Sequence, residues 1–90
     1  MPEIIKEIEI VNKLGMHARP AARLVQVTSR FSSDINFKRG SDEVNGKSIM
    51  GVLMLAAPYG SKITVIARGD DADEAIKEIE SLILAKFGEE

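Results

Sequence analysis

The chain has no cysteine, no tryptophan and a single histidine, and only 4% of its 90 residues are aromatic. Without cysteine there is neither a disulfide framework nor a thiolate metal site, and one histidine cannot supply the several nitrogen ligands typical of catalytic zinc. Long apolar runs are missing too. No segment approaches the length of a membrane span, and Met1-Pro2-Glu3-Ile4-Ile5-Lys6-Glu7 carries charge where a signal peptide needs an apolar stretch. The expectation is a soluble, unexported, cytoplasmic protein without direct membrane insertion. An excess of positive charge is equally absent: 12 Lys and Arg against 14 Asp and Glu leave a formal net charge of -2, which argues against a general nucleic-acid binder. A ferredoxin-like RNA-binding domain has a related element order, but the aromatic sheet residues that stack bases are lacking. What remains is a single domain over 1–90, large enough for one two-layer core.

Hydrophobic periodicity orders that core. Ile8 and Ile10 alternate with Glu7 and Glu9, predicting a first strand over 4–11 with one buried face. Ala21, Leu24, Val25 and Thr28 fall at helical spacing, and Pro20 is tolerable in a first turn, so a helix starts at His17 or Ala18. A hairpin follows, with strands over 34–39 and 42–44 joined by Gly40-Ser41. Ser48 is a good N-cap for a short helix reaching Ala56 or Ala57, and Ile63, Val65 and Ala67 mark a fourth strand over 62–67. Asp71 with Glu74 resembles a capping box, and Ala72, Ala75, Ile76, Ile79, Leu82 and Ile83 form the apolar face of a last helix ending near Phe87. A small sheet with this βαββαβα order can be covered by helices on one face only, which predicts an α+β open-faced sandwich.

The most informative residue is the single histidine, His17, in Leu14-Gly15-Met16-His17-Ala18-Arg19-Pro20-Ala21. A glycine-containing loop there turns into a helix, setting an imidazole beside unpaired backbone N–H groups at the positive end of a helix dipole, with Arg19 two residues on. Such a place suits an anion. A neutral imidazole can attack a phosphorus centre, and the N–H groups of Ala18 and Arg19 can then receive the transferred group, so the chemistry suggested is a phosphohistidine. The competing structural reading is an ordinary cap or surface histidine.

Asn12-Lys13-Leu14-Gly15-Met16-His17-Ala18-Arg19-Pro20-Ala21 resembles the active-site signature of the HPr family, the histidine-containing phosphocarriers of the phosphoenolpyruvate:sugar phosphotransferase system. A second stretch, Val44-Asn45-Gly46-Lys47-Ser48-Ile49-Met50-Gly51-Val52-Leu53-Met54-Leu55-Ala56, looks like the regulatory-serine region of the same family at its usual separation. The resemblance covers essentially the whole chain. It implies an antiparallel four-stranded sheet in the order 1-4-2-3, and a role for His17 as acceptor of a phosphoryl group from enzyme I, through Nδ1, and donor to enzyme IIA. It also implies that Arg19 stabilises the phosphate, that Ser48 is a regulatory phosphorylation site for an HPr kinase/phosphorylase, and that the protein acts as a carrier and not an enzyme. Leu14 is a departure, since many members have a small polar residue in that loop position.

Helix two is apolar nearly all round, so Val52 and Leu55 suit the core while Ile49, Met50 and Leu53 are expected to face a partner near His17. Arg19, Arg23 and Lys47 would give that patch a basic rim for acidic partners. No cofactor is expected, and a monomer is. Gly40-Ser41-Asp42-Glu43-Val44-Asn45-Gly46-Lys47-Ser48 imitates a P-loop, but five residues separate its glycines where phosphate cradling requires four, so it is rejected as a nucleotide site. Two other readings compete: a nitrogen-related phosphotransferase carrier, and a regulatory binding module in which Ser48 is operative and His17 vestigial.

Overall fold

The computed structural model describes residues 2–89. Strands β1 (Glu3–Glu9), β2 (Asp34–Arg39), β3 (Asp42–Asn45) and β4 (Lys62–Arg68) form one antiparallel sheet in the order β1-β4-β2-β3. Helices α1 (Ala18–Thr28), α2 (Ile49–Met54) and α3 (Ala72–Leu84) cover one face, and a 3-10 turn follows over Lys86–Gly88. This is the α+β open-faced sandwich expected from the element order.

The register places Ile8 opposite Ile63, and Phe37 opposite both Val65 and Val44. With Ile35 and Ala67, the buried members of this set form the sheet's contribution to the core. Leu24 and Ala21 from α1, Val52 from α2, and Ala75, Ile79 and Ile83 from α3 close over them. Each of the larger side chains contributes roughly 1.5–3 kcal/mol by leaving water. The alternation that buries Ile63, Val65 and Ala67 turns Ile66 outward, where it sits opposite the exposed Ile5 on the uncovered face.

Element ends differ from the periodicity chiefly where the backbone turns left-handed. α2 stops at Met54 because Ala56 has φ +50, a conformation no helix continues through. α3 likewise stops at Leu84, since Lys86 (φ +58) and Phe87 (φ +55) turn the chain away before the anticipated end. β1 ends at Glu9, although Ile10 remains fully buried beyond it. The anticipated capping box at Asp71 and Glu74 is not formed. Asp71 makes no side-chain bond to α3, and its carboxylate instead accepts from Ser32 and Ser33 in the α1–β2 connection.

Candidate functional site

His17 is the N-cap of α1, in an extended conformation, and its side chain makes no capping hydrogen bond. Pro20 carries no N–H, and Ala21 donates to the His17 carbonyl at 3.0 Å. The first turn therefore leaves the N–H groups of Ala18 and Arg19 without an intrahelical partner, two donors directed at the positive end of the helix. The Arg19 side chain is exposed and, among the described residues, its guanidinium has no hydrogen-bond or ion-pair partner. Lys13, Leu14, His17, Arg19 and Glu89 line one depression of about 390 Å³. The two backbone donors, a cation and a nucleophilic ring can meet the same anion.

The loop presenting His17 is held from below. Gly15 has φ +69, and a Cβ there would come within 2.7 Å of the Ala57 carbonyl oxygen and 2.9 Å of Pro58 Cα. Glycine is required on both counts. Met16, itself buried, donates its N–H to that same Ala57 carbonyl at 2.8 Å, fastening the loop to the segment that follows α2. Asn12 is fully buried, and its Nδ2 donates both to the Gly15 carbonyl at 2.8 Å and to Glu89 Oε1 at 3.0 Å.

Glu89 reaches the ring with its other oxygen, Oε2 lying 2.8 Å from His17 Nε2. Nε2 is buried and has no aligned hydrogen bond, so the contact is a close electrostatic one, off the direction of a ring N–H. The imidazole side chain as a whole is 36% exposed and the Glu89 side chain 12%, so the accessible part of the ring lies away from Nε2. Glu89 is delivered there by the final turn. Phe87 is completely buried despite its left-handed backbone, and the Arg23 guanidinium donates to its carbonyl. A non-glycine residue in that region costs about 1–3 kcal/mol, which burial of the phenyl ring, at roughly 1.5–3 kcal/mol, offsets.

His17, Ala18 and Arg19 stand together at the head of α1, where the motif predicts them, whereas the Asn12–Glu89 connection has no signal in the sequence. Asn12 lies within the motif, yet nothing in its type announced burial, and Glu89 follows a helix expected to run straight to Phe87. Ser48 is the N-cap of α2, its Oγ accepting from the Gly51 N–H at 3.1 Å. Ile49 (44%) and Met50 (69%) are exposed as expected, and so is Met54 (73%), which was not singled out. Leu53 is half-buried and packs against the core, a more enclosed position than expected, while Val52 and Leu55 are core residues. The two flanking cations are engaged: Arg23 holds the Phe87 carbonyl, and Lys47 Nζ donates to the Phe31 carbonyl at 2.7 Å. Arg19 is the cation of this set left to meet an anion.

Among the described residues no helix is long and apolar enough to cross a membrane, and no cluster of three or more His, Cys, Asp or Glu is placed to hold a metal ion. The family model for the PTS HPr component phosphorylation site matches residues 4–85. The chain is 45% identical over 87 residues to the phosphocarrier protein HPr of Treponema pallidum, spanning 97% of this chain and 99% of the relative. It superposes on the crystal structure of HPr-C-His from Thermoanaerobacter tengcongensis with a TM-score of 0.91 at 50% identity, covering 100% and 99% of the two chains. A crystal structure of an HPr dimer from the same organism matches with a TM-score of 0.78 at 51% identity, over 91% of this chain and 94% of that one. A histidine at the head of α1, two open N–H donors beside it and a sheet in the order β1-β4-β2-β3 accompany this full-length likeness, and the chain belongs to the HPr family of phosphocarriers of the phosphotransferase system.

Proposed function

We propose that this chain is a stoichiometric phosphohistidine carrier, in which His17 takes a phosphoryl group from phospho-enzyme I and passes it to an enzyme IIA. The observation that carries the reading is the N-cap position of His17: its ring is not spent on capping, and the Ala18 and Arg19 N–H groups have no partner within the helix. A phosphoryl group on the ring adds negative charge, which those donors and the Arg19 guanidinium stabilise through charge-assisted hydrogen bonds. Each partner supplies the rest of the catalytic apparatus, so the chain is a carrier and not an enzyme. It works in the cytoplasm as a monomer, with Ile49, Met50 and the accessible part of Leu53 as the apolar centre of the docking face. Ser48 phosphorylation by an HPr kinase/phosphorylase is the proposed control on that docking.

Incubation with phosphoenolpyruvate, magnesium and a matched enzyme I tests the carrier role, magnesium serving enzyme I. The expected product is an acid-labile phosphate mapped to His17, lost in His17→Ala with the fold retained. Undiminished labelling of folded His17→Ala would rule out the assignment, and sedimentation of the labelled protein as a dimer would overturn the monomeric carrier.

A further inference from the structure

Glu89 stands where a positioning group for His17 belongs. Its Oε1 is held by Asn12 Nδ2 at 3.0 Å, and the same amide grips the Gly15 carbonyl at 2.8 Å, so one buried side chain ties the histidine loop to the final turn. Two left-handed non-glycine residues, the fully buried Phe87 and the Arg23 contact to its carbonyl fix the path of the chain up to Glu89. The other carboxylate oxygen lies 2.8 Å from Nε2, which is buried, while about a third of the imidazole side chain, 36%, is exposed. The same left-handed turn that buries Phe87 in the core thus also sets a carboxylate against one ring nitrogen and leaves the other uncovered by it.

We propose that the Glu89 carboxylate keeps the imidazole proton on Nε2 and shields that atom, leaving Nδ1 as the nitrogen that meets a phosphoryl group. This rests on the carrier reading above and adds to it the residue that selects the nucleophilic nitrogen. A carboxylate beside one imidazole nitrogen favours the tautomer with its proton there and hands the lone pair to the other nitrogen. A small rotation of ring or carboxylate aligns the Nε2–H with Oε2, as hydrogen bonds at such sites commonly tighten on engagement. During acceptance the Nδ1 lone pair forms the new N–P bond while the donor's own P–N bond breaks and its electron pair leaves with the donor nitrogen. The proton stays on Nε2. The positive charge gained by the ring then lies against the Glu89 carboxylate, and onward transfer returns the ring to its neutral Nε2–H form. Glu89 touches neither phosphorus nor the attacking nitrogen, so it acts through His17.

The test needs no partner protein. Nitrogen-15 NMR of His17 at about pH 9, above the ordinary imidazole range, reports the neutral tautomer, and phosphorus-31 NMR after treatment with phosphoramidate reports which nitrogen is phosphorylated. The native protein is expected to show the Nε2–H tautomer and a single Nδ1 product. Glu89→Ala is expected to raise the Nδ1–H fraction several-fold and to yield a second product phosphorylated on Nε2, with circular dichroism unchanged. Loss of selectivity in Glu89→Ala supports the role; its restoration in Glu89→Gln locates the effect in an acceptor oxygen, and continued loss in Glu89→Gln locates it in the charge. A folded Glu89→Ala protein with the native tautomer and only the Nδ1 product overturns it. These readouts stand apart from the enzyme I assay, whose failure on the native protein would sink the carrier reading and leave the tautomer result in place.

Discussion

Ser33 donates both its backbone N–H, at 3.0 Å, and its hydroxyl to Oδ1 of Asp71, joining the α1–β2 connection to the start of α3. Ser32 adds its own N–H at 2.9 Å to the second oxygen. These donors favour the ionised carboxylate, the Ser33 hydroxyl most and the Ser32 backbone N–H next, and hold the Asp71 carboxyl at about 2 against an ordinary 3.8. The folded state therefore binds the proton less readily than the unfolded chain. The contribution to stability is present in full well above pH 3.8 and disappears as the pH falls through that value toward about 2. Asp71→Asn should lower the urea midpoint at neutral pH, and the gap between the two proteins should narrow steadily across that acidic window. A gap that stays constant down to the lowest pH would show that the Asp71 charge does not matter to the clamp.

Gly15 offers a separate test of how the histidine loop is held. Alanine there would need φ +69 and would also drive a methyl group to 2.7 Å from a backbone oxygen that cannot move aside cheaply. Gly40 has a similar φ of +61 but nothing within 4 Å of the added methyl, so Gly40→Ala isolates the conformational cost alone. Gly40→Ala should cost about 1 kcal/mol and Gly15→Ala about 2–4 kcal/mol, the difference being the clash. Urea unfolding measures both. Because the displaced loop carries His17, Gly15→Ala alone should also slow enzyme I-dependent phosphorylation.

The fold was readable because its signals are local and mutually consistent: two-residue alternation at Ile63, Val65 and Ala67, helical spacing through Ala75, Ile76 and Ile79, and a serine at the head of α2. His17 and Arg19 were readable for the same reason, being two residues apart at one helix start. What escaped is long-range. Asn12 and Glu89 meet only because Lys86 and Phe87 adopt a left-handed conformation that no propensity favours, and Asp71 turns from its own helix to Ser32 and Ser33 because tertiary donors outcompete the local cap. Leu53 is expected to be open because a short helix that is apolar nearly all round does not itself mark which of its sides is buried. Packing against the core draws it inward and leaves Met50 and Met54 as the prominent side chains of α2.

Ser48 tests the proposed control of docking, since its Oγ caps α2 next to the exposed Ile49 and Met50. A phosphate there adds roughly -1.5 to -2 charge at neutral pH and sits at a helix N-terminus, where it should support α2 and not melt it. An acidic partner surface approaching the same patch meets that charge as repulsion. Ser48→Asp should therefore slow His17 phosphorylation by enzyme I relative to Ser48→Ala, which removes the cap at about 1 kcal/mol without adding charge. Both variants are first shown to be folded by circular dichroism, and initial transfer rates are then compared at two salt concentrations. A selective defect in Ser48→Asp that shrinks at high salt supports electrostatic control, because screening weakens exposed charge contacts most. Equal rates for the two variants at low salt would defeat it, and would reduce Ser48 to the capping role its hydrogen bond to Gly51 already performs.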